Sequence, residues 1–129
     1  MPLLFVMIGG ALGSAARYLT GRAALTAFGP DFPYGTLAVN LVGGLLMGVL
    51  TAILARSGSL AEPWRLFLGV GVLGGFTTFS SFSLDAVAMI ERGALAPAFG
   101  YVLVSVIGSI AALFTGLAAT RALLAGASA

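Results

Sequence analysis

The chain has 129 residues, of which 60% are hydrophobic and only 8% charged, with a mean hydropathy of +1.12 and a formal charge of +2. An average soluble domain carries roughly 25% charged residues, so the composition excludes a soluble fold. With no Cys and no His, disulfides, thiolate chemistry, haem ligation and the usual transition-metal sites are excluded too. Six Arg and four acids are spread along the chain rather than clustered, which leaves no nucleic-acid patch.

Apolar runs extend from Leu3 to about Phe28, Tyr34 to about Leu54, Trp64 to about Ile90 and Leu95 to about Leu124. A helix of about 20 apolar residues crosses the hydrocarbon core. The expectation is an all-α integral membrane protein of four transmembrane helices, a single domain over residues 1–129 embedded in the lipid bilayer. Met1 to Ile8 carries no basic residue and reads as the start of the first crossing rather than as a cleaved signal peptide. The joints are Gly29 to Pro33, Arg56 to Pro63 and Glu91 to Gly93, short enough to force neighbouring helices antiparallel.

In the third run Gly69, Gly71, Gly74 and Gly75 crowd the middle and Thr77 and Thr78 follow. These residue types end one helix and cap the next, so this helix is expected to break near mid-membrane. Backbone freed at that depth must be buried in protein or line a cavity. The other reading is that the glycines let helices pack closely. With the N-terminus inside, Arg56, Arg65 and Arg121 lie inside and Arg22 and Arg92 outside, joined by Arg17 if it reaches the surface. So weak a bias permits insertion in both orientations, and with it an antiparallel homodimer.

Few side chains in the runs can carry chemistry. Asn40 shares an i, i+4, i+8 ridge with Gly44 and Gly48 and either glues helices together or donates its amide to an anion. Phe79 and Phe82, three apart, project from one face of a helix following the break; they either pack or turn their positive ring edges to an anion. Thr77, Ser81 and Asp85 repeat at i, i+4, i+8 as a polar stripe, and Tyr101, Ser105, Ser109 and Ala112 make a comparable stripe on the fourth helix. Single hydroxyls can also bond back to their own helix. Arg17, roughly 21 Å along the first helix, either snorkels to headgroups or concentrates anions at a watery vestibule. The sparse acids form no catalytic pair and neither Ser14 nor Ser81 has a base, so an enzyme is not expected.

Three patterns together resemble the Fluc/CrcB family of small fluoride channels: Gly9-Gly10-Ala11-Leu12-Gly13-Ser14-Ala15-Ala16-Arg17-Tyr18, Gly35-Thr36-Leu37-Ala38-Val39-Asn40-Leu41-Val42-Gly43, and Gly74-Gly75-Phe76-Thr77-Thr78-Phe79-Ser80-Ser81-Phe82-Ser83. The fourth helix matches mainly through Tyr101, Ser105 and Ser109. Ser14 stands where the family often has Ala, and Asp85 where it often has Glu. The resemblance implies an antiparallel dual-topology homodimer with two fluoride pores and a structural Na+ at its centre. It further implies that the backbone carbonyls of Gly74 and Thr77 from both subunits hold Na+, that Phe79 and Phe82 form an aromatic box, and that Asn40 donates to fluoride. Thr78, Ser81, Tyr101, Ser105 and Ser109 would add polar lining. The family exports cytoplasmic fluoride, which implies a cell inner or plasma membrane location.

Two other readings fit the composition. One is a small dual-topology proton-coupled exporter, which would need a mid-membrane carboxylate; Asp85 is the one intrahelical candidate. The other is a non-transporting assembly subunit held by its small-residue ridges.

Overall fold

Pro2 and Gly29 bound the first helix, α1 (Pro2–Phe28). A proline lacks only an N–H that a helix start leaves unpaired, and Gly29 takes φ 80° while its N–H still reaches the Leu25 carbonyl at 2.9 Å. The computed structural model describes residues 1–128, all of whose regular elements are helical. After a joint packed by the rings of Phe28, Phe32 and Tyr34, α2 runs from Tyr34 to Leu54.

The third stretch begins earlier than its apolar run. A 3-10 turn (Gly58–Leu60) leads into α3 (Ala61–Trp64), a π-helical segment (Arg65–Leu73) and α4 (Gly74–Phe76). Thr77 (φ −82°, ψ 159°) and Thr78 (φ −153°, ψ 123°) are extended, and helical dihedrals resume in α5 (Phe79–Glu91). A turn at Arg92 and Gly93, the latter at φ 83°, leads to α6 (Leu95–Ser128). Among the described residues, four stretches are long and apolar enough to cross a membrane: Pro2–Phe28, Tyr34–Leu54, Gly58–Glu91 and Leu95–Ala127.

Glycines set how these stretches meet. A Cβ on Gly75 would lie 2.6 Å from the Gly10 carbonyl oxygen, and one on Gly71 would lie 2.9 Å from the Gly9 Cα. The first and third stretches therefore touch backbone to backbone. On the other side Gly44 faces the Ser109 carbonyl and Gly48 the Leu113 carbonyl, so α2 and α6 run parallel in register and form the most extensive contact in the molecule. Without a hydrophobic drive between helices in lipid, this close van der Waals approach is what holds them. Gly71 and Gly75 are thus packing residues, and the extended backbone belongs to the two threonines that follow. A small buried cluster of Phe82, Ala86, Met89, Ala98 and Tyr101 joins α5 to α6.

Candidate functional site

The amide of Asn40 on α2 meets the extended segment. Its Nδ2 donates to the Thr78 carbonyl at 2.9 Å, and the Thr78 N–H donates to its Oδ1 at 2.8 Å. The backbone N–H and C=O of one residue, released from helix pairing, are both satisfied by one side chain 38 residues away. The Thr78 hydroxyl then caps α5 by accepting the Ser81 N–H at 3.1 Å. A threonine in extended conformation is a favoured N-cap because its oxygen replaces a missing intrahelical acceptor. On the side facing α1, Arg17 Nε donates to the Gly75 carbonyl at 3.0 Å, at the C-terminal end of α4, where a cation complements the negative pole of a helix.

Two grooves flank Thr78. One, of about 420 Å³, is bordered by Asn40, Thr78, Phe79, Phe82, Ser105 and Ser109. The other, of about 430 Å³, is bordered by Ser14, Arg17, Thr36, Thr78 and Ser81. Seven of the candidate residues, Thr77 included, therefore meet around the first groove, while Arg17 and Ser81 face the second. The second adjoins a third groove of about 290 Å³ that includes Asp85 and Arg92, since both are lined by Gly21, Leu25, Gly35 and Thr36. Gly74 borders none of the three, and its surface is exposed.

The i, i+4, i+8 stripe of Thr77, Ser81 and Asp85 does not exist as one ridge. Two extended residues cancel the helical register, so Thr77 borders the first groove while Ser81 borders the second and Asp85 the third. Thr77 donates its hydroxyl back to the Leu73 carbonyl at 2.9 Å. Tyr101 is fully buried behind Phe82 and borders none of the grooves; its hydroxyl donates to Asp85 Oδ2 at 3.1 Å. The Phe79 and Phe82 rings lie 5.5 Å apart at 48°, and Phe82 is 5.2 Å from the Tyr101 ring. Phe82 is buried, but Phe79 is 77% exposed.

Ser105 is 5% exposed, and its Oγ has no hydrogen-bond partner among the described residues. A buried hydroxyl without a partner is costly, and this one sits on the wall of the first groove. Its neighbours there include the first turn of α5, whose N–H groups carry the positive pole of the helix. The groove thus presents a few uncharged donors and no fixed charge on a largely apolar wall that also includes Met47, Val106, Ile110 and Leu113.

Thr36 escaped the sequence-based reading although it borders the second and third grooves and lies beside the Tyr101 hydroxyl. Its position four residues before Asn40, on the same helical face, was the available signal.

The sequence profile of the family described as CrcB-like protein, Camphor Resistance (CrcB), matches residues 4–117. The chain belongs to this family. Among its relatives in the family are the fluoride-specific ion channel FluC of Caulobacter sp. (strain K31), 61% identical over 120 residues, and that of Mesorhizobium japonicum, 54% identical over 121 residues. A third, from Agrobacterium fabrum, is 55% identical over 119 residues. These alignments cover 92%, 94% and 92% of this chain and 94%, 97% and 95% of the relatives. With its four apolar stretches, this CrcB-like chain is a multi-pass membrane protein.

Proposed function

We propose that the chain is a passive fluoride-selective channel that exports cytoplasmic fluoride down its electrochemical gradient and so reduces fluoride toxicity. It acts in the cell's inner or plasma membrane as an antiparallel dual-topology homodimer with two pores, its third crossing interrupted at mid-membrane. The relatives' name supports the ion. The observation that carries the reading is the groove of Asn40, Thr78, Phe79, Phe82, Ser105 and Ser109, which gathers uncharged donors and two phenyl rings. Fluoride is small and strongly hydrated, so a pore must replace its lost water with closely set donors. A fixed cation in mid-pore would hold the ion too tightly, since conduction needs sites weak enough to leave. Hydroxyls, an amide and phenyl edges meet both demands, and a narrow path rejects the larger chloride. Phe79, exposed in the single chain, is covered by the second copy. Ser81 and Arg17 line the adjoining groove, where Arg17 draws anions to the vestibule, and Tyr101 supports Phe82 from behind.

A structural Na+ at the dimer centre fits the backbone here. In a continuous helix the Thr78 N–H would bond the Gly74 carbonyl and the Ser81 N–H the Thr77 carbonyl, but these donors go to Asn40 and to the Thr78 hydroxyl. The Gly74 and Thr77 carbonyls are thereby left for a cation, as unwound carbonyls are in other membrane proteins. Held by the Gly74 and Thr77 carbonyls of both copies, a Na+ would supply the positive charge that ties the two interrupted segments together.

The test is reconstitution of the purified protein in liposomes loaded with fluoride or chloride, with a K+ ionophore to release the charge constraint. Fast fluoride release without chloride release is expected. Release of neither, from an intact dimer, overturns the reading.

A further inference from the structure

We propose that Asn40 is a positioning residue whose amide holds the Thr77–Thr78 segment extended, and that this hold, and not only donation to the ion, is what the path requires of it. The inference rests on the channel reading above. A primary amide can close a ring of two hydrogen bonds with the N–H and C=O of a single residue when that residue is extended, because both groups then point to the same side. The 2.9 Å and 2.8 Å contacts between Asn40 and Thr78 form that ring. It also fixes which end of the amide is which, because the Thr78 N–H accepts nothing and its carbonyl donates nothing.

The ring has consequences on both sides of Thr78. Its N–H is withheld from the Gly74 carbonyl, so α4 cannot run on into α5. Its side chain is left to cap α5 through the Ser81 N–H, which sets where the helix begins and hence where Phe79 and Phe82 stand around the groove. One Nδ2 hydrogen remains after the ring is closed, so positioning and donation use different atoms of the same amide. Nothing else in the described residues bonds the Thr78 peptide N–H, and an unpaired peptide group inside a membrane protein is strongly disfavoured. Without Asn40 the segment has a reason to return to helix.

The decisive experiment removes the ring without touching Asn40. Replacing Thr78 by its α-hydroxy acid analogue converts the peptide N–H to an ester oxygen, leaving the Asn40 amide and every groove side chain in place. It also makes the Thr77 carbonyl a weaker ester acceptor, so flux is compared at high Na+. The chain reconstituted in liposomes is expected to lose about tenfold in fluoride flux, the equivalent of one hydrogen bond. Its helix content by circular dichroism and its elution as an assembled species should be unchanged. Flux equal to the unmodified chain overturns the inference.

N40D supplies a second readout. A carboxylic acid reproduces the donor and acceptor that close the ring but has no second hydrogen, and a carboxylate cannot donate at all. Flux through N40D is expected to be absent at neutral pH and to return in part as the pH is lowered, after subtraction of leak in protein-free vesicles. Arg17, Arg22, Asp85 and Arg92, the charged groups on the adjoining grooves, are unchanged in both chains, as are the tyrosines Tyr18 and Tyr34 there. A folded N40D that conducts at neutral pH as the unmodified chain does also overturns the inference. Should the ester chain not fold, N40D decides alone. An unmodified chain that releases no fluoride is a different result, for it removes the channel reading itself.

Discussion

Arg17 and Gly75, 58 residues apart in sequence, meet through a 3.0 Å hydrogen bond from the guanidinium Nε to a carbonyl at the end of α4. The side chain that looked free to snorkel is instead held against the carbonyl end of a short helix, with Thr78 and Ser81 bordering the same groove. Hydrogen bonds to charged groups are worth about 1.5–3 kcal/mol, so Arg17→Ala should destabilise the protein by about that amount in thermal unfolding in detergent. Arg17→Lys keeps the charge but loses the planar fork, and its melting temperature should fall between the two. A melting temperature unchanged in Arg17→Ala would show that the bond contributes nothing.

Ser105→Ala separates stability from transport. Its Oγ is buried without a partner, and removing such a group relieves a desolvation cost of about 1–3 kcal/mol. The variant should melt at the same temperature as the parent or higher, while fluoride flux in liposomes falls. Lower stability with unchanged flux would mark the hydroxyl as structural.

Gly44→Ala tests the α2–α6 contact. The added methyl would come within 2.9 Å of the Ser109 carbonyl oxygen, a backbone atom that cannot rotate away. Overpacking of this kind costs about 1–3 kcal/mol. Gly100→Ala, where a Cβ meets nothing within 4 Å, is the control and should leave thermal stability unchanged.

Tyr101 and Asp85 should behave as a coupled pair. Their 3.1 Å hydrogen bond predicts a double-mutant coupling of about 0.5–3 kcal/mol between Tyr101→Phe and Asp85→Asn. Additive effects would dissolve the pair. The same Asp85→Asn chain checks the exporter reading: loss of a proton-driven efflux in liposomes would replace the channel assignment.

Phe82→Ile should reduce fluoride flux because it removes a ring that stands between Phe79 and Tyr101 at 5.5 Å and 5.2 Å. Liposome efflux of fluoride and chloride measures both flux and selectivity. Unchanged values for both would take Phe82 out of the path.

Much of the site was legible along the chain because it is written in local patterns. Asn40 is a polar amide on a small-residue ridge, and Phe79 and Phe82 are one helical step apart among hydroxyls. The stripe from Thr77 to Asp85 misled because an i, i+4 pattern assumes an unbroken helix, and two extended residues shift everything after them to another face. Thr36 was overlooked for the opposite reason. Its place four residues before Asn40 puts it on that residue's face, but its bordering two grooves emerges only when α1 and α5 are packed beside it.

The sequence by itself determined the solvent, the number of crossings and the family, because hydropathy and motif spacing depend on near neighbours along the chain. Only the tertiary structure decided that the Asn40 amide closes on the Thr78 peptide, that Arg17 ends on the Gly75 carbonyl, and that Gly71 and Gly75 serve packing. Each of these joins groups from different helices. A freed peptide group in lipid takes whichever partner the packed neighbours bring within reach, and that choice is made in three dimensions.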